Sequence, residues 1–289
     1  MNWKSEIKKK LTEYAGTVVM IDSFSSVGGG SINQTYKVST NEGNFFVKKN
    51  SASQYPQMFE KEAQGLKILK EAKVIDIPKI IDTGESENHS FLILKFIRSG
   101  KKTNSFWDDF GMQLAGLHKH TENFFGLDHD NYIGSLHQHN NKHNTWSDFY
   151  REERLEKQVR LARNKGSIDK GTVSEFDRFY SKLDNIFPEE PPALLHGDLW
   201  GGNFMVNSNG EPVIIDPAVY YGHREMDLGM SQLFGGFDAQ FYKSYNKSYP
   251  LENGWEERLD YCNLYPLMVH VNLFGGGYLQ SVKAILKRF

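Results

Sequence analysis

Apolar residues follow one pattern in the first third of the chain and another in the rest. This change of pattern divides the sequence into two parts. Short runs of apolar, aromatic and β-branched residues between turn residues, typical of strands, prevail in the first third. Strands are predicted at 18–24, 34–40, 44–49, near Ile80 and at 91–97. Residues Phe59, Ala63, Leu66 and Leu69 instead follow helical spacing. Helices are predicted at 3–15 and 55–72.

Helical spacing dominates beyond a loop of small and polar residues at 99–105. Helices are predicted at 106–118, 146–163, 172–187, 227–234, 239–249 and 255–274. Two short β segments, at 204–206 and 213–215, interrupt them. The pattern predicts an α+β protein with two lobes: a small N-terminal antiparallel sheet lobe with one main helix (1–97), and a larger, mostly helical C-terminal lobe (98–289).

Composition narrows the class of protein. The 289 residues are 39% hydrophobic and 24% charged, with a formal net charge of −2. Because no basic block is present, nucleic acid and anionic membranes are not expected as partners. The single cysteine, Cys262, excludes an internal disulfide, and no 18 consecutive residues are apolar. We therefore expect a cytoplasmic globular protein.

The segment His196-Gly197-Asp198-Leu199-Trp200-Gly201-Gly202-Asn203 carries the strongest chemical signal. Phosphoryl transfer needs a carboxylate to receive the acceptor proton, metal ligands for the phosphates, and a cation that holds them. Asp198 is the predicted catalytic base and Asn203 a Mg²⁺ ligand. Asp216, at the end of the following predicted hairpin, is the expected second Mg²⁺ ligand. Each residue alone is more typical of a turn or a strand end, but together they predict a kinase site.

Two upstream features add to this prediction. Lys48 lies on a predicted strand and Glu62 on the next helix, and such a pair positions nucleotide phosphates in protein kinases. Lys49 and Glu60 lie close enough to leave the pairing open by one or two positions. The glycine-rich turn between two strands, with Gly29, Gly30 and Ser31, offers backbone N–H groups to phosphates.

Several of these segments resemble the fructosamine (ketosamine) kinase family. The similar segments are 194–203, 215–228 and 233–237, with further likeness at 46–48, 58–62, 128–135 and 154–158. The resemblance covers nearly the whole chain. Aminoglycoside phosphotransferases and choline kinases share the His-Gly-Asp motif, whereas the run Asp216-Pro217-Ala218-Val219-Tyr220-Tyr221-Gly222 and the Phe-Gly-Gly-Phe sequence are more specific to the family.

The resemblance implies a bilobal protein-kinase-like fold and an enzyme that uses ATP and Mg²⁺. Members phosphorylate the 3-hydroxyl of ketosamines, the sugar adducts of amines and of protein lysines, and the unstable product loses its sugar. It further implies that the backbone of Leu94, Lys95 and Phe96 receives the adenine. His196 and Asp227 are expected to support the catalytic loop. Lys95 departs from the family, in which an acidic residue is common.

Substrate contacts are less well marked. Trp200 is two residues beyond the base and offers an apolar ring to a sugar, although bracing the loop is an equal alternative. His223, Arg224 and Glu225 follow the metal-binding strand and are candidates for the acceptor pocket. Arg224 has the alternative of anchoring the chain through ion pairs.

Two alternative functions remain open at this stage. A kinase of the same fold could act on an aminoglycoside or choline, but a polycation would require an acceptor site rich in carboxylates. A non-catalytic pseudokinase is disfavoured because Lys48, Asp198, Asn203 and Asp216 are all present. The expected partners are ATP and a free ketosamine or a glycated protein lysine. The sequence does not predict an oligomeric state.

Histidines are concentrated in the segment 136–144, at His137, His139 and His143. No cysteine or carboxylate at ligand spacing lies near them in the sequence. A solvated loop is therefore predicted here in preference to a zinc site.

Overall fold

The computed structural model describes residues 2–28 and 32–289, and it divides into two compact units. The first comprises Met1–Thr103 with Met205–Ile215, and the second comprises Asn104–Phe204 with Asp216–Phe289. The predicted boundary between residues 97 and 98 stays a prediction.

An antiparallel sheet with two helices forms most of the first unit. The strands are β1 (Ile21–Ser26), β2 (Gln34–Thr40), β3 (Gly43–Ser51), β4 (Ile80–Ser86) and β5 (His89–Lys95), in the order β1-β2-β3-β5-β4. The helices are α1 (Trp3–Ala15) and α2 (Met58–Ala72). This antiparallel sheet lobe confirms the predicted fold class.

Strand alternation places apolar side chains in two buried clusters of this unit. Ile7 and Leu11 of α1 pack with the β2, β3 and β5 residues Val38, Val47 and Ile93. The other cluster joins α2 to β5 and contains Phe59, Ala63, Leu66, Leu92 and Leu94. Because successive strand side chains point to opposite faces, β5 contributes to both clusters.

The second unit is mostly helical. Its helices are α3 (Phe106–Leu117), α4 (Trp146–Phe149), which continues as a π-helix (Tyr150–Leu155) into α5 (Glu156–Asn164), α6 (Lys170–Tyr180), α7 (Glu225–Leu233), α8 (Ala239–Ser248), α9 (Trp255–Cys262), α10 (Leu264–Phe274) and α11 (Tyr278–Leu286), with a 3₁₀ turn at Leu183–Asn185. Within residues 2–28 and 32–289, no helix has the length and apolarity needed to cross a membrane.

Short antiparallel strand pairs complete the fold. They are β6 (Asn131–Ile133) with β7 (Leu136–Gln138), β8 (Ala193–Leu195) with β11 (Tyr220–Gly222), and β9 (Phe204–Val206) with β10 (Pro212–Ile214). Strand β8 directly precedes the predicted catalytic loop, so its pairing with β11 fixes the backbone at the start of that loop.

The structure departs from the sequence prediction at several places. The helix predicted at 172–187 ends at Tyr180, and the strands β6, β8 and β11 were not predicted. The loop predicted at 136–144 contains β7, because three-residue strands are too short to show periodicity. The helix predicted at 255–274 is broken at Asn263. Helix α11 was not predicted as a separate element.

Candidate active site

A tight backbone turn follows β8 and presents the His-Gly-Asp segment. Gly197 has φ +82°, and a Cβ on this residue would lie 2.0 Å from the carbonyl oxygen of Ala218. Only glycine fits such a position, because a side chain would overlap the neighbouring backbone. The Ala218 amide in turn donates to the His196 carbonyl at 2.9 Å. The turn is thereby fixed from both of its flanks.

Asp227, on α7, stabilises this turn through its carboxylate. Its carboxylate accepts hydrogen bonds from the backbone amides of His196 (2.7 Å) and Gly197 (2.9 Å). His118 Nε2 lies 3.2 Å from the same carboxylate, and His118 Nδ1 lies 2.8 Å from the Tyr245 hydroxyl. Burial opposes the charge, but His118, His196 and the Gly197 amide outweigh it and lower the pKa of Asp227. Asp227 is therefore a charged support of the loop.

Replacing Asp227 with Asn is expected to lower the free energy of unfolding at pH 7 by about 1–3 kcal/mol, because an amide has one acceptor oxygen for two N–H donors. The depressed pKa makes this contribution present above about pH 4 and lost as pH falls through the folded-state pKa. Urea denaturation of both proteins at pH 7 and in acid measures it. The gap between the two curves should narrow in acid, and a gap independent of pH would contradict this role.

Asp198 lies at the edge of a mostly apolar cleft. The cleft is lined by Ile133, Gly197, Asp198, Tyr220, Met226, Asp227, Met230, Tyr265, Pro266, Val269 and His270. Burial raises the pKa of Asp198 to about 7; a hydrogen bond from Asn203 opposes this rise, and the charges of Asp216 and Asp227 add to it. A carboxylate that titrates near neutral pH is well matched to proton transfer.

The donors expected to hold a metal are positioned around Asp198. Asn203 Nδ2 donates to the Asp198 carbonyl (2.8 Å) and to Asp198 Oδ2 (3.0 Å). This bond orients the amide so that Oδ1 is the atom left to act as an oxygen ligand. Asp216 follows β10 with φ 54°, a left-handed conformation that is uncommon for a residue with a side chain. Such strain is typical of functional sites.

In the first unit, Lys48 and Glu62 form a buried ion pair. Lys48 Nζ lies 2.8 and 2.9 Å from the two Glu62 carboxylate oxygens. Lys48 is on β3, the central strand of the sheet, and Glu62 is on α2. Lys49 instead places its Nζ 5.0 Å from the centre of the Trp3 ring. The structure thus pairs Lys48 with Glu62, as the protein-kinase pattern requires.

The remaining nucleotide positions are less defined. Gly29, Gly30 and Ser31 lie outside the described residues. The amides of Lys95 and Phe96 donate to the carbonyls of Lys79 (2.8 Å) and Asn44 (3.2 Å). These two N–H groups are already hydrogen-bonded within the first unit. An adenine at Leu94–Phe96 would therefore have to bind other backbone groups.

The predicted substrate residues have different surroundings. Trp200 is 38% exposed and stands edge-on to Phe234, with ring centres 6.1 Å apart. The ring centres of Phe234 and His270 are 4.8 Å apart. The three rings of Trp200, Phe234 and His270 therefore form a partly accessible aromatic surface.

His223 and Arg224, in contrast, are buried. Arg224 donates to Glu190 at 2.6 and 2.8 Å and to the carbonyls of Tyr249 and Pro250, both at 2.7 Å. His223 Nε2 lies 3.7 Å from Glu190. This placement favours the anchoring role of Arg224 over contact with a substrate.

Sequence reasoning missed His118 and Tyr245, which complete the support of Asp227. Tyr245 lies on α8 and His118 directly follows the last residue of α3, and these two helices contact each other extensively. A histidine at the end of an apolar helix was the available signal, but its partner is remote in sequence.

The chain resembles known proteins over its full length. The family model for fructosamine kinase matches residues 3–289. A probable ketoamine kinase of Synechocystis is 40% identical over 99% of this chain and 96% of its own. A chloroplastic protein-ribulosamine 3-kinase of Arabidopsis thaliana is 40% identical over 96% of this chain and 84% of its own.

Solved structures agree in fold. A "putative fructosamine-3-kinase" of Haemophilus somnus superposes with a TM-score of 0.88, at 29% identity, over 98% of this chain and 96% of its own. An aminoglycoside phosphotransferase superposes with a TM-score of 0.60 at 14% identity, over 97% and 98% of the two chains. The second likeness shows the shared kinase-like fold alone.

Proposed function

This chain belongs to the fructosamine kinase family, and from that membership we propose that it transfers the γ-phosphoryl group of ATP to the 3-hydroxyl of ketosamines. The observation that carries the proposal is the Asp198–Asn203 pair on a turn held by Asp227. This arrangement holds a proton acceptor and a metal-binding amide in fixed positions. Fructosyl and ribulosyl adducts of lysine are the proposed acceptors, free or within proteins.

The chemical step follows from the position of Asp198. As the acceptor O3 forms its bond to the γ-phosphorus, the bond from that phosphorus to the bridging oxygen of ADP breaks. The hydroxyl proton passes to the Asp198 carboxylate. The products are ADP and a ketosamine 3-phosphate, which is unstable and loses the sugar from the amine. The enzyme therefore contributes to deglycation.

Magnesium fits the donor set of the site. Mg²⁺ prefers oxygen ligands and retains part of its water shell, so few protein ligands are needed. Asn203 Oδ1 and the Asp216 carboxylate would hold it, and the ion would neutralise charge on the phosphates. The hydrogen bond from Asn203 Nδ2 to Asp198 selects the amide orientation this requires.

Lys48 is proposed to bind the α- and β-phosphates of ATP, with Glu62 holding its ammonium group in place. Replacing Lys48 with Met should lower kcat/KM for ATP by about 10- to 100-fold, the equivalent of one charge-assisted hydrogen bond. Steady-state kinetics at varied ATP measures this effect.

Lys49→Met is the matched control for this prediction. Lys49 is the neighbouring buried lysine of β3 and contacts the Trp3 ring rather than Glu62. Its variant should retain kcat/KM for ATP within about threefold. Equal losses in the two variants would show that any buried charge on β3 has the same effect, and would contradict a specific phosphate contact.

The acceptor surface is proposed to include Trp200. Its partly exposed ring, two residues beyond Asp198 in the sequence, offers an apolar face to a sugar or to the methylene groups of a lysine side chain. An aminoglycoside is not favoured as acceptor, because the likeness to those enzymes is limited to the fold. The single cysteine is free and buried, and we propose a cytoplasmic location on this composition.

An acceptor panel tests the proposal. Release of ADP would be measured with fructosyl-lysine, ribulosyl-lysine, an aminoglycoside and choline, each with Mg²⁺ and ATP. We expect turnover with one or both ketosamines and none above background with the other two. Turnover with an aminoglycoside or choline alone would overturn the assignment of the acceptor.

A further inference from the structure

The β6–β7 hairpin of the second unit brings two histidines and an aspartate together. Asp130 precedes β6, His137 is on β7 and His139 follows it. Asp130 Oδ2 lies 3.4 Å from His137 Nε2 and 3.5 Å from His139 Nδ1. The other two ring nitrogens, His137 Nδ1 and His139 Nε2, lie 3.4 Å from each other. The pairing of β6 with β7 therefore brings a carboxylate to the histidines that is not close to them in the sequence.

These spacings are long for hydrogen bonds, whose nitrogen–oxygen distances centre near about 2.9 Å. They are instead close to the separation of two ligands on one metal ion. Two ligand atoms about 2.0–2.1 Å from a tetrahedral zinc ion are about 3.4 Å apart. Each of the three residues offers a ligand atom within 4.8 Å of the other two. The Asp130 carboxylate is thus already at a metal-binding separation from both histidines.

The surrounding residues hold the cluster in place. The Asn140 backbone N–H donates to Asp130 Oδ1 at 2.8 Å, and the other carboxylate oxygen, Oδ2, is directed at the histidines. Arg154, fully buried, donates to the His139 carbonyl and, at 2.8 Å, to Asn140 Oδ1. These bonds fix the Asp130 carboxylate and the backbone at residues 139 and 140, and so they position two of the three candidate ligand residues.

The cluster is also open to solvent. The side chains of His137, His139 and Asp130 are 46%, 36% and 32% exposed. An ion can enter without a change of fold, and water can complete its coordination. Near His139, Glu153 and Lys157 lie 3.9 Å from each other, so one charge of each sign is present there.

We propose that Asp130, His137 and His139 form a binding site for Zn²⁺ with three protein ligands and an open position for water. Two imidazoles and one carboxylate suit a borderline-soft ion, whereas Mg²⁺ and Ca²⁺ prefer oxygen ligands throughout. The site is separate from Asn203 and Asp216, and it does not depend on the proposed kinase activity.

The position of the hairpin suggests what the ion does. Asn131 Nδ2 donates to the Val219 carbonyl at 2.8 Å, and Gln138 Nε2 donates to the Ala218 carbonyl at 3.0 Å. These carbonyls belong to the segment that directly follows Asp216. An ion bound by Asp130, His137 and His139 would link the residue before β6 to β7. It would therefore stabilise the hairpin that holds residues 218 and 219.

Zinc chloride, titrated against a fluorescent chelator with excess Mg²⁺ and without ATP, tests the proposal. We expect one Zn²⁺ per chain, and a dissociation constant at least about 100-fold higher in His137→Ala and Asp130→Asn, since even loss of a group behind a ligand costs 10- to 100-fold. Asp130→Asn retains an oxygen for the Asn140 amide. Zinc should also raise the melting temperature of the wild type by a few degrees.

His120→Ala is the matched control, because His120 is an exposed histidine of the same unit that lies outside the cluster. It should bind zinc as the wild type does, and the zinc-free melting temperatures of all variants should agree within about 2 °C. Absence of chelator-competitive binding in the wild type would overturn the site. So would equal loss of affinity in His120→Ala and His137→Ala.

Discussion

Asp198→Asn is expected to lower kcat for ketosamine phosphorylation by about 10²- to 10⁴-fold, the usual contribution of a positioned general base. The amide cannot accept the acceptor proton, but it retains an oxygen that can accept the hydrogen bond from Asn203. The KM for ATP should change by less than about threefold. Steady-state kinetics with a ketosamine, together with a thermal melt to confirm the fold, measures the effect.

Asp177→Asn is the matched control for this variant. Asp177 is exposed on α6 of the same unit, and its side chain takes no part in the catalytic turn. The control should retain wild-type kcat within about a factor of two. An Asp198→Asn enzyme that retains more than a tenth of wild-type kcat would contradict the role of Asp198 as the base.

Glu225→Gln is expected to lower the free energy of unfolding by about 3 kcal/mol. Glu225 is fully buried at the start of α7, and Arg258 donates to its two oxygens at 2.6 and 2.9 Å. The amide removes the negative charge and leaves the Arg258 guanidinium without an ionised partner in this pair. Equilibrium denaturation in urea measures the loss.

The pair Arg288–Asp260 provides the matched control. Its atoms are 2.7 Å apart, but its side chains are 49% and 45% exposed. Asp260→Asn should cost less than about 1 kcal/mol, because water screens and solvates both charges. If the two variants lose similar stability, burial does not decide the strength of these pairs.

Much of the fold was predictable because its signals are local. Helix α1 has the predicted bounds Trp3–Ala15, since helical spacing continues to a terminal Gly16 in the left-handed conformation. The strands β2, β3 and β5 were recognisable from their apolar and aromatic residues, although β3 and β5 are buried on consecutive residues because both faces of the sheet are covered. The kinase-like fold and the family are both confirmed.

Features that depend on residues remote in sequence were not predictable. The His118–Tyr245 contact joins residues 127 positions apart, and no local pattern indicates it. For Arg224, the sequence left both an acceptor contact and an ion pair open, and Glu190 at 34 positions' distance favours the ion pair.

The histidine-rich segment is a further case in which the sequence did not predict a contact made by the folded chain. His137 and His139 were predicted to lie in a solvated loop because no ligand-type residue lies close in sequence. The antiparallel pairing of β6 with β7 brings Asp130 to them. A hairpin of two three-residue strands gives too weak a periodic signal to predict that approach.

The identity of the phosphorylated product tests the central claim most directly. The protein would be incubated with Mg²⁺, ATP and the better of fructosyl-lysine and ribulosyl-lysine, and the early product analysed by phosphorus and carbon NMR. We expect one phosphate on O3 for each ADP formed, followed by release of free lysine, and product formation at least about 100-fold slower with Asp198→Asn. Phosphate on another hydroxyl, or ADP formed without a phosphorylated sugar, would contradict the account.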